Sequence, residues 1–155
     1  VTPGRSPLYG LTVHHADAHL IVVEKPAHLL THLTHPGPGV CLLELVRREW
    51  RDDPDAIAPV HRLDAETSGL AVLGRTREAL RDLGRQFAAG VVRKRYLAVA
   101  VGEVGPDAGV IELAIGPDPQ GPGATVRGHQ RIGGPGAREA RTRFRVLARR
   151  DGHSL

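Results

Sequence analysis

Cysteine is almost missing from this chain: Cys41 is the only one in 155 residues, so an internal disulfide is excluded. It precedes Leu42 and Leu43 in an apolar stretch and reads as a small buried residue. A catalytic thiol would need a histidine partner in an exposed, electropositive setting. Aromatic residues make up only 3% of the chain, so the core must be built from Leu, Val, Ile and Ala. No run of about 18 apolar residues occurs, so no transmembrane helix and no membrane partner are expected. No charged segment with an apolar core opens the chain, so no signal peptide is expected and the expected compartment is the cytoplasm. Lysine is scarce as well. Lys25 and Lys94 are the only two, and the other basic residues are arginines, within a net charge of +4. Arginine offers phosphate a planar fork and stacks on bases, which favours a polyanionic partner. A bias in base composition, enriching Arg, Ala, Gly and Pro together, accounts for the same balance.

What is present is patterned. The length suggests one domain, large enough to hide roughly 70% of its unfolded surface. Residues 1–10, with Pro3, Gly4, Pro7 and Gly10, read as a loose leader, and 11–155 as the domain. Leu11–Val13 and Leu20–Val23 are apolar runs around a polar segment, a hairpin-like pair ending at Lys25-Pro26. His35–Gly39 reads as a turn. Leu42, Leu43, Leu45, Val46 and Trp50 follow helical spacing. Gly69–Leu73 is a short strand, and Thr76 caps a helix with Ala79, Leu80, Leu83 and Phe87 on one face, closed by Gly90. Arg95–Val101 and Val110–Ile115 read as strands. In 140–146, Ala140, Thr142, Phe144 and Val146 alternate with Arg141, Arg143 and Arg145, giving one apolar and one basic face. Gly116–Gly136 reads as a long Gly/Pro-rich loop, either functional or mobile. The expected class is α+β: a mostly antiparallel, mixed sheet flanked by helices.

The segment His61-Arg62-Leu63-Asp64-Ala65-Glu66-Thr67-Ser68-Gly69-Leu70 sets one carboxylate beside an arginine, then two hydroxyls and a glycine. Arg62 is expected to hold Asp64 ionised, and an ionised carboxylate can act as a nucleophile toward a sugar carbon. Thr67 and Ser68 can close the loop through bonds to its backbone. A salt-bridged turn without chemistry fits the same residues.

HRLDAETSGL resembles the H-R-L-D-x-x-T-S-G-L motif of the RluA-type RNA pseudouridine synthases at every fixed position. The flanks agree in order. Leu20–Pro26 resembles the family's strand ending in N-K-P, and His35-Pro36 its later H-P. Lys94, Tyr96 and Ala98 stand as in K-x-Y-x-A, Gly109–Ile111 as in the G-x-I strand, and Ala140–Leu147 as in A-x-T-x-x-x-V-L. Glu24 and His28 depart from the usual Asn and Gly.

The resemblance implies a pseudouridine-synthase catalytic fold that isomerises uridine in structured RNA, rRNA or tRNA. The N-glycosidic bond breaks, the uracil turns, and a carbon–carbon bond forms, with no cofactor and no metal. It implies Asp64 as the essential carboxylate and Tyr96 as the tyrosine that stacks on uracil and assists proton transfer. Arg62 would hold RNA with the base flipped out, since that bond cannot be reworked inside a stack. His61, Thr67 and Ser68 fall in the same substrate-binding motif, and Arg141, Arg143 and Arg145 are expected to contact RNA. The family's later G-R-x-H-Q-I-R motif has no counterpart, and His129-Gln130 does not fit it. Arg149–Gly152 reads as a turn into a strand at His153–Leu155, so the sheet is expected to be incomplete at the C-terminus, as in a fragment or a truncated product. An inactive RNA-binding remnant is the alternative. A second, different alternative is a metal site on His14, His15, His19, His28, His32 and His35, where His28 and His32 have i, i+4 spacing. Pro26, Thr31 and Pro36 argue against the helix such a site needs.

Overall fold

The computed structural model describes residues 4, 5, 10–33, 39–50, 53–118 and 130–155. All but Gly39 of the expected turn at 35–39, His129, and most of the expected leader lie outside them. Where length suggested one domain, the chain forms two compact units, Val1–Lys94 and Arg95–Leu155.

In the first unit, β1 (Gly4–Arg5), β2 (Thr12–Ala16), β3 (Leu20–Lys25), β4 (Ala58–Pro59) and β5 (Gly69–Gly74) build one antiparallel sheet in the order β1-β2-β3-β5-β4. The expected hairpin is β2–β3. Asp17 shapes its connection, accepting hydrogen bonds from the His19 and Leu20 amides at 2.7 and 2.8 Å and lying 2.8 Å from the His15 ring. His15 first, then the two amides, hold the Asp17 carboxyl well below the usual carboxylate range. Alternation along β3 sends Ile21 and Val23 into the core. They sit opposite Leu73 and Ala71 of β5. Helix α1 (Leu42–Glu49) adds Leu42, Leu45 and Val46 to that core, and Trp50 and Ile57 complete it. A 3₁₀ turn follows at Pro54–Ala56. Helix α2 (Arg77–Ala88) starts as expected: the Thr76 hydroxyl accepts from the Ala79 amide at 3.1 Å.

In the second unit, β7 (Ala108–Pro117) lies between β8 (Gln130–Ile132) and β9 (Arg138–Arg145), while β11 (His153–Ser154) lies between β6 (Ala100–Val101) and β10 (Arg149–Arg150). All these pairings are antiparallel. Asp151 and Gly152 both have positive φ, 50° and 71°, and join β10 to β11 as a two-residue hairpin turn.

Two segments differ from expectation. Only Ala100 and Val101 of the strand expected at 95–101 are paired, because β11 meets β6 at those residues alone. Alternation marks a strand only where a partner supplies the ladder. Conversely, Gln130–Ile132, inside the expected long loop, pairs with Ile115–Pro117 as β8.

Candidate active-site loop

Antiparallel pairing places Lys25, the last residue of β3, directly opposite Gly69, the first of β5. The 61–68 segment therefore emerges at the end of the sheet where β3 also finishes. Gly69 enters β5 with φ 130°, a conformation that side-chain-bearing residues rarely adopt.

Alternation also puts Lys25 on the core face, after Ile21 and Val23, and its side chain is fully buried. Its three N–H donors all find carbonyls: Pro26 at 2.9 Å, Leu29 at 2.7 Å and Ala65 at 3.0 Å. Burial pushes the ammonium pKa below the ordinary lysine value, and the negative charge of Asp64 opposes that shift. Thr31, also buried, grips the neighbouring residue. Its hydroxyl donates to the Leu63 carbonyl at 2.7 Å and accepts from the Leu63 amide at 3.1 Å. Leu63 itself is packed inside. The loop is thus held at Leu63 and Ala65, and Asp64 stands between the two anchors with 81% of its side chain exposed.

Arg62 Nη2 approaches Asp64 Oδ1 at 3.5 Å, so the expected pair is present but long, and the Arg62 side chain is 63% exposed. The turn is closed by the backbone: the Thr67 amide donates to the Asp64 carbonyl at 3.1 Å. This corrects the expectation for the hydroxyls, since among the described residues neither Thr67 nor Ser68 uses its side chain to close the loop. The remaining motif side chain, His61, turns inward. Its ring stacks on Phe87 of α2 with centroids 4.8 Å apart and planes 13° apart, and Nε2 accepts from the Val72 amide at 3.1 Å.

Sequence reasoning missed the anchoring roles of Lys25 and Thr31. The signal for Lys25 was its place in the inward phase of an apolar strand.

The other expected site residues belong to the second unit. Tyr96 is exposed. Register places Arg141, Arg143 and Arg145 on one face of β9, and Ala140, Thr142 and Phe144 on the other with Ile111 and Leu113 of β7. The basic face is partly neutralised, because Arg141 Nε pairs with Glu112 Oε1 at 2.8 Å. We expect replacement of all three arginines to flatten the salt dependence of RNA binding. A full phosphate contact is worth a slope of about 0.9, and Arg141, already paired, contributes less than either of the others. Filter binding across a salt series checks this, and an unchanged slope for the triple variant would turn that face away from RNA.

The histidines do not form the helical pair that their spacing allowed. His28 has φ 64°, outside the helical region, and 26–33 holds no helix. Among the described residues no cluster of three or more His, Cys, Asp or Glu side chains is arranged to hold a metal ion.

An antiparallel sheet thus delivers an exposed aspartate on a doubly anchored loop, followed at Gly69 by the next strand. A model of the RNA pseudouridylate synthase family matches residues 19–155, so the chain belongs to that family. Among curated relatives, ribosomal large subunit pseudouridine synthase D of Nitrosomonas europaea is 35% identical over 136 residues, covering 84% of this chain and 37% of that protein. The dual-specificity RNA pseudouridine synthase RluA of Yersinia pestis is 32% identical over 142 residues, covering 91% of this chain and 65% of its own length. The chain thus spans only part of the curated relatives it matches. The structure of human RNA pseudouridylate synthase domain containing 4 shares the fold, with a TM-score of 0.68 over 92% of this chain and 56% of that one, at 23% identity. The RluA-type resemblance and the α+β fold read from the sequence are both borne out.

Proposed function

We propose that this chain carries the catalytic region of an enzyme that isomerises uridine to pseudouridine in rRNA or tRNA. The observation that carries the reading is the HRLDAETSGL loop itself: it is fixed from behind through Leu63 and Ala65, yet presents Asp64 to solvent. A flipped-out nucleotide needs such a surface, with a charged group that is reachable and a backbone that does not yield. Asp64 attacks or deprotonates the ribose. The N1–C1′ bond breaks, the uracil turns, C5 bonds to C1′, and the C5 proton is lost as N1 gains one. No step calls for a metal or an organic cofactor. Arg62, beside Asp64 and exposed, holds the RNA near the flipped nucleotide, with Thr67 and Ser68 at the rim of the same loop. Substrates of this kind place the enzyme in the cytoplasm.

The test is incubation with transcribed rRNA and tRNA, followed by carbodiimide-based mapping of pseudouridine. We expect new stops at discrete uridines, and unmodified RNA at every position would reject the proposal.

The family resemblance assigns Tyr96 the stacking role against uracil, so the two changes at this residue are expected to separate. Tyr96→Ala lowers both binding and turnover, since a lost base–aromatic stack costs about 1–3 kcal/mol. Tyr96→Phe keeps the stack and lowers turnover only. Equal turnover for Phe and wild type would remove the hydroxyl from proton transfer.

A further inference from the structure

β4 and β5 part company in an unusual way just before the Asp64 loop. Their pairing runs Ala58 with Gly74 and Pro59 with Leu73, which makes Val60 and Val72 the next opposed residues. In an antiparallel ladder such a hydrogen-bonded pair exchanges two bonds. One is made: the Val60 amide donates to the Val72 carbonyl at 3.1 Å. The reciprocal bond is not made to Val60. The Val72 amide instead donates to His61 Nε2 at 3.1 Å. The side chain of His61 occupies the place of the missing backbone carbonyl, and the chain is freed to turn outward into Arg62, Leu63 and Asp64. Phe87 of α2 stacks on the ring and fixes its plane.

We propose that His61 is a positioning residue for Asp64: its neutral imidazole, protonated on Nδ1, completes the β4–β5 ladder and thereby fixes where the catalytic loop leaves the sheet. The inference rests on the reading of Asp64 as the catalytic carboxylate. Nε2 can accept only while it carries no proton. Protonation would set two donors face to face across 3.1 Å. The surroundings favour the neutral ring: burial lowers its pKa, a hydrogen bond with the Arg62 backbone opposes this, and the charge of Lys94 lowers it again. Phe87, stacked on the ring, and the Val72 amide that donates to it do not titrate. The sign follows. Above the free-histidine pKa both folded and unfolded chains carry the neutral ring, and the latch is intact. As pH falls below that value the unfolded chain takes up the proton first, so the latch weakens with acid.

Two variants separate this role from simple packing. His61→Gln sets its Oε1 where Nε2 stood, so an acceptor remains but cannot titrate. His61→Phe keeps a ring against Phe87 and offers no acceptor. The purified chain is examined by nitrogen NMR of the imidazole, by amide exchange at Val72, and by turnover against pH. We expect Nε2 to show the shift of an unprotonated nitrogen. From about pH 7.5 to about pH 5.5, Val72 protection should drop by about tenfold or more in the wild type, as for a buried donor losing its acceptor. His61→Gln should hold both protection and turnover nearly level over that interval. His61→Phe should lose about tenfold in kcat at every pH with KM little changed, since a displaced loop costs transition-state contact more than binding. A protonated Nε2 at neutral pH, or equal kcat for the Phe and Gln variants, would overturn the proposal. The tautomer and the exchange data need no turnover, so a wild-type chain with no synthase activity would count against the proposed function and not against the latch. If His61→Phe fails to fold, the wild-type tautomer and the His61→Gln profile still decide.

Discussion

Asp64→Asn is expected to lower pseudouridine formation by about three orders of magnitude or more, the scale seen when a group that bonds to or deprotonates the substrate is removed. The fold should barely notice. The side chain is 81% exposed and its one ion pair, to Arg62, is long. Exposed pairs of this kind are worth about 0–1 kcal/mol. The amide is nearly the same size as the carboxylate, and the bonds that hold the loop run through the Leu63 backbone and the Ala65 and Asp64 carbonyls, none of which changes. Thermal melting beside a quantitative pseudouridine assay checks both halves. Turnover close to wild type would remove Asp64 from the chemistry, and a large drop in melting temperature would show that it holds the loop as well.

Lys25→Met is expected to do the reverse, striking the fold first and the activity through it. Methionine matches the length and the apolar surroundings but donates nothing, and three carbonyls then lose their common partner. A buried polar group left unpaired costs roughly 1–3 kcal/mol. The carbonyls of Leu29 and Ala65 belong to half-buried residues, whereas Pro26 is exposed and water can replace its bond. The net loss should be a few kcal/mol, offset in part because the ammonium no longer has to be kept out of water. That is a large share of the stability of an ordinary domain, about 5–15 kcal/mol. Denaturant unfolding measures it. A variant as stable as wild type would mean that desolvation of the charge cancels its three bonds.

These two residues also mark what could be read from the sequence. The nearness of Arg62 to Asp64 and the strand at Gly69 were legible because motif and turn chemistry are local, and the same holds for Thr76 as a helix cap and for the later half of the turn expected at 149–152, whose first two residues instead pair as β10. The β9 faces were legible because alternation is a property of the strand alone. The partner of Lys25 was not, because Ala65 lies forty positions along the chain and meets it only once β3 and β5 are in register. Nor was the inward turn of His61, which depends on a break in a ladder that only pairing reveals. The strand expected at 95–101 failed for the same reason, since its alternating residues mostly have no neighbouring strand. Short β8 was hidden by the glycines and prolines around it.

The anchors of the Asp64 loop act on main-chain atoms and sit behind it, whereas Glu66 is exposed and makes no bond that the loop depends on. Under the proposed function, anchoring and substrate contact therefore fall to different residues within a few positions. On that reading, an exchange at Glu66, one of the two variable positions of the motif, is expected to alter the charge offered to RNA without loosening the carboxylate. Over generations, such a loop can change the nucleotide context it prefers while its reaction is preserved. In the laboratory, Glu66 is the natural position to randomise when selecting for a new target.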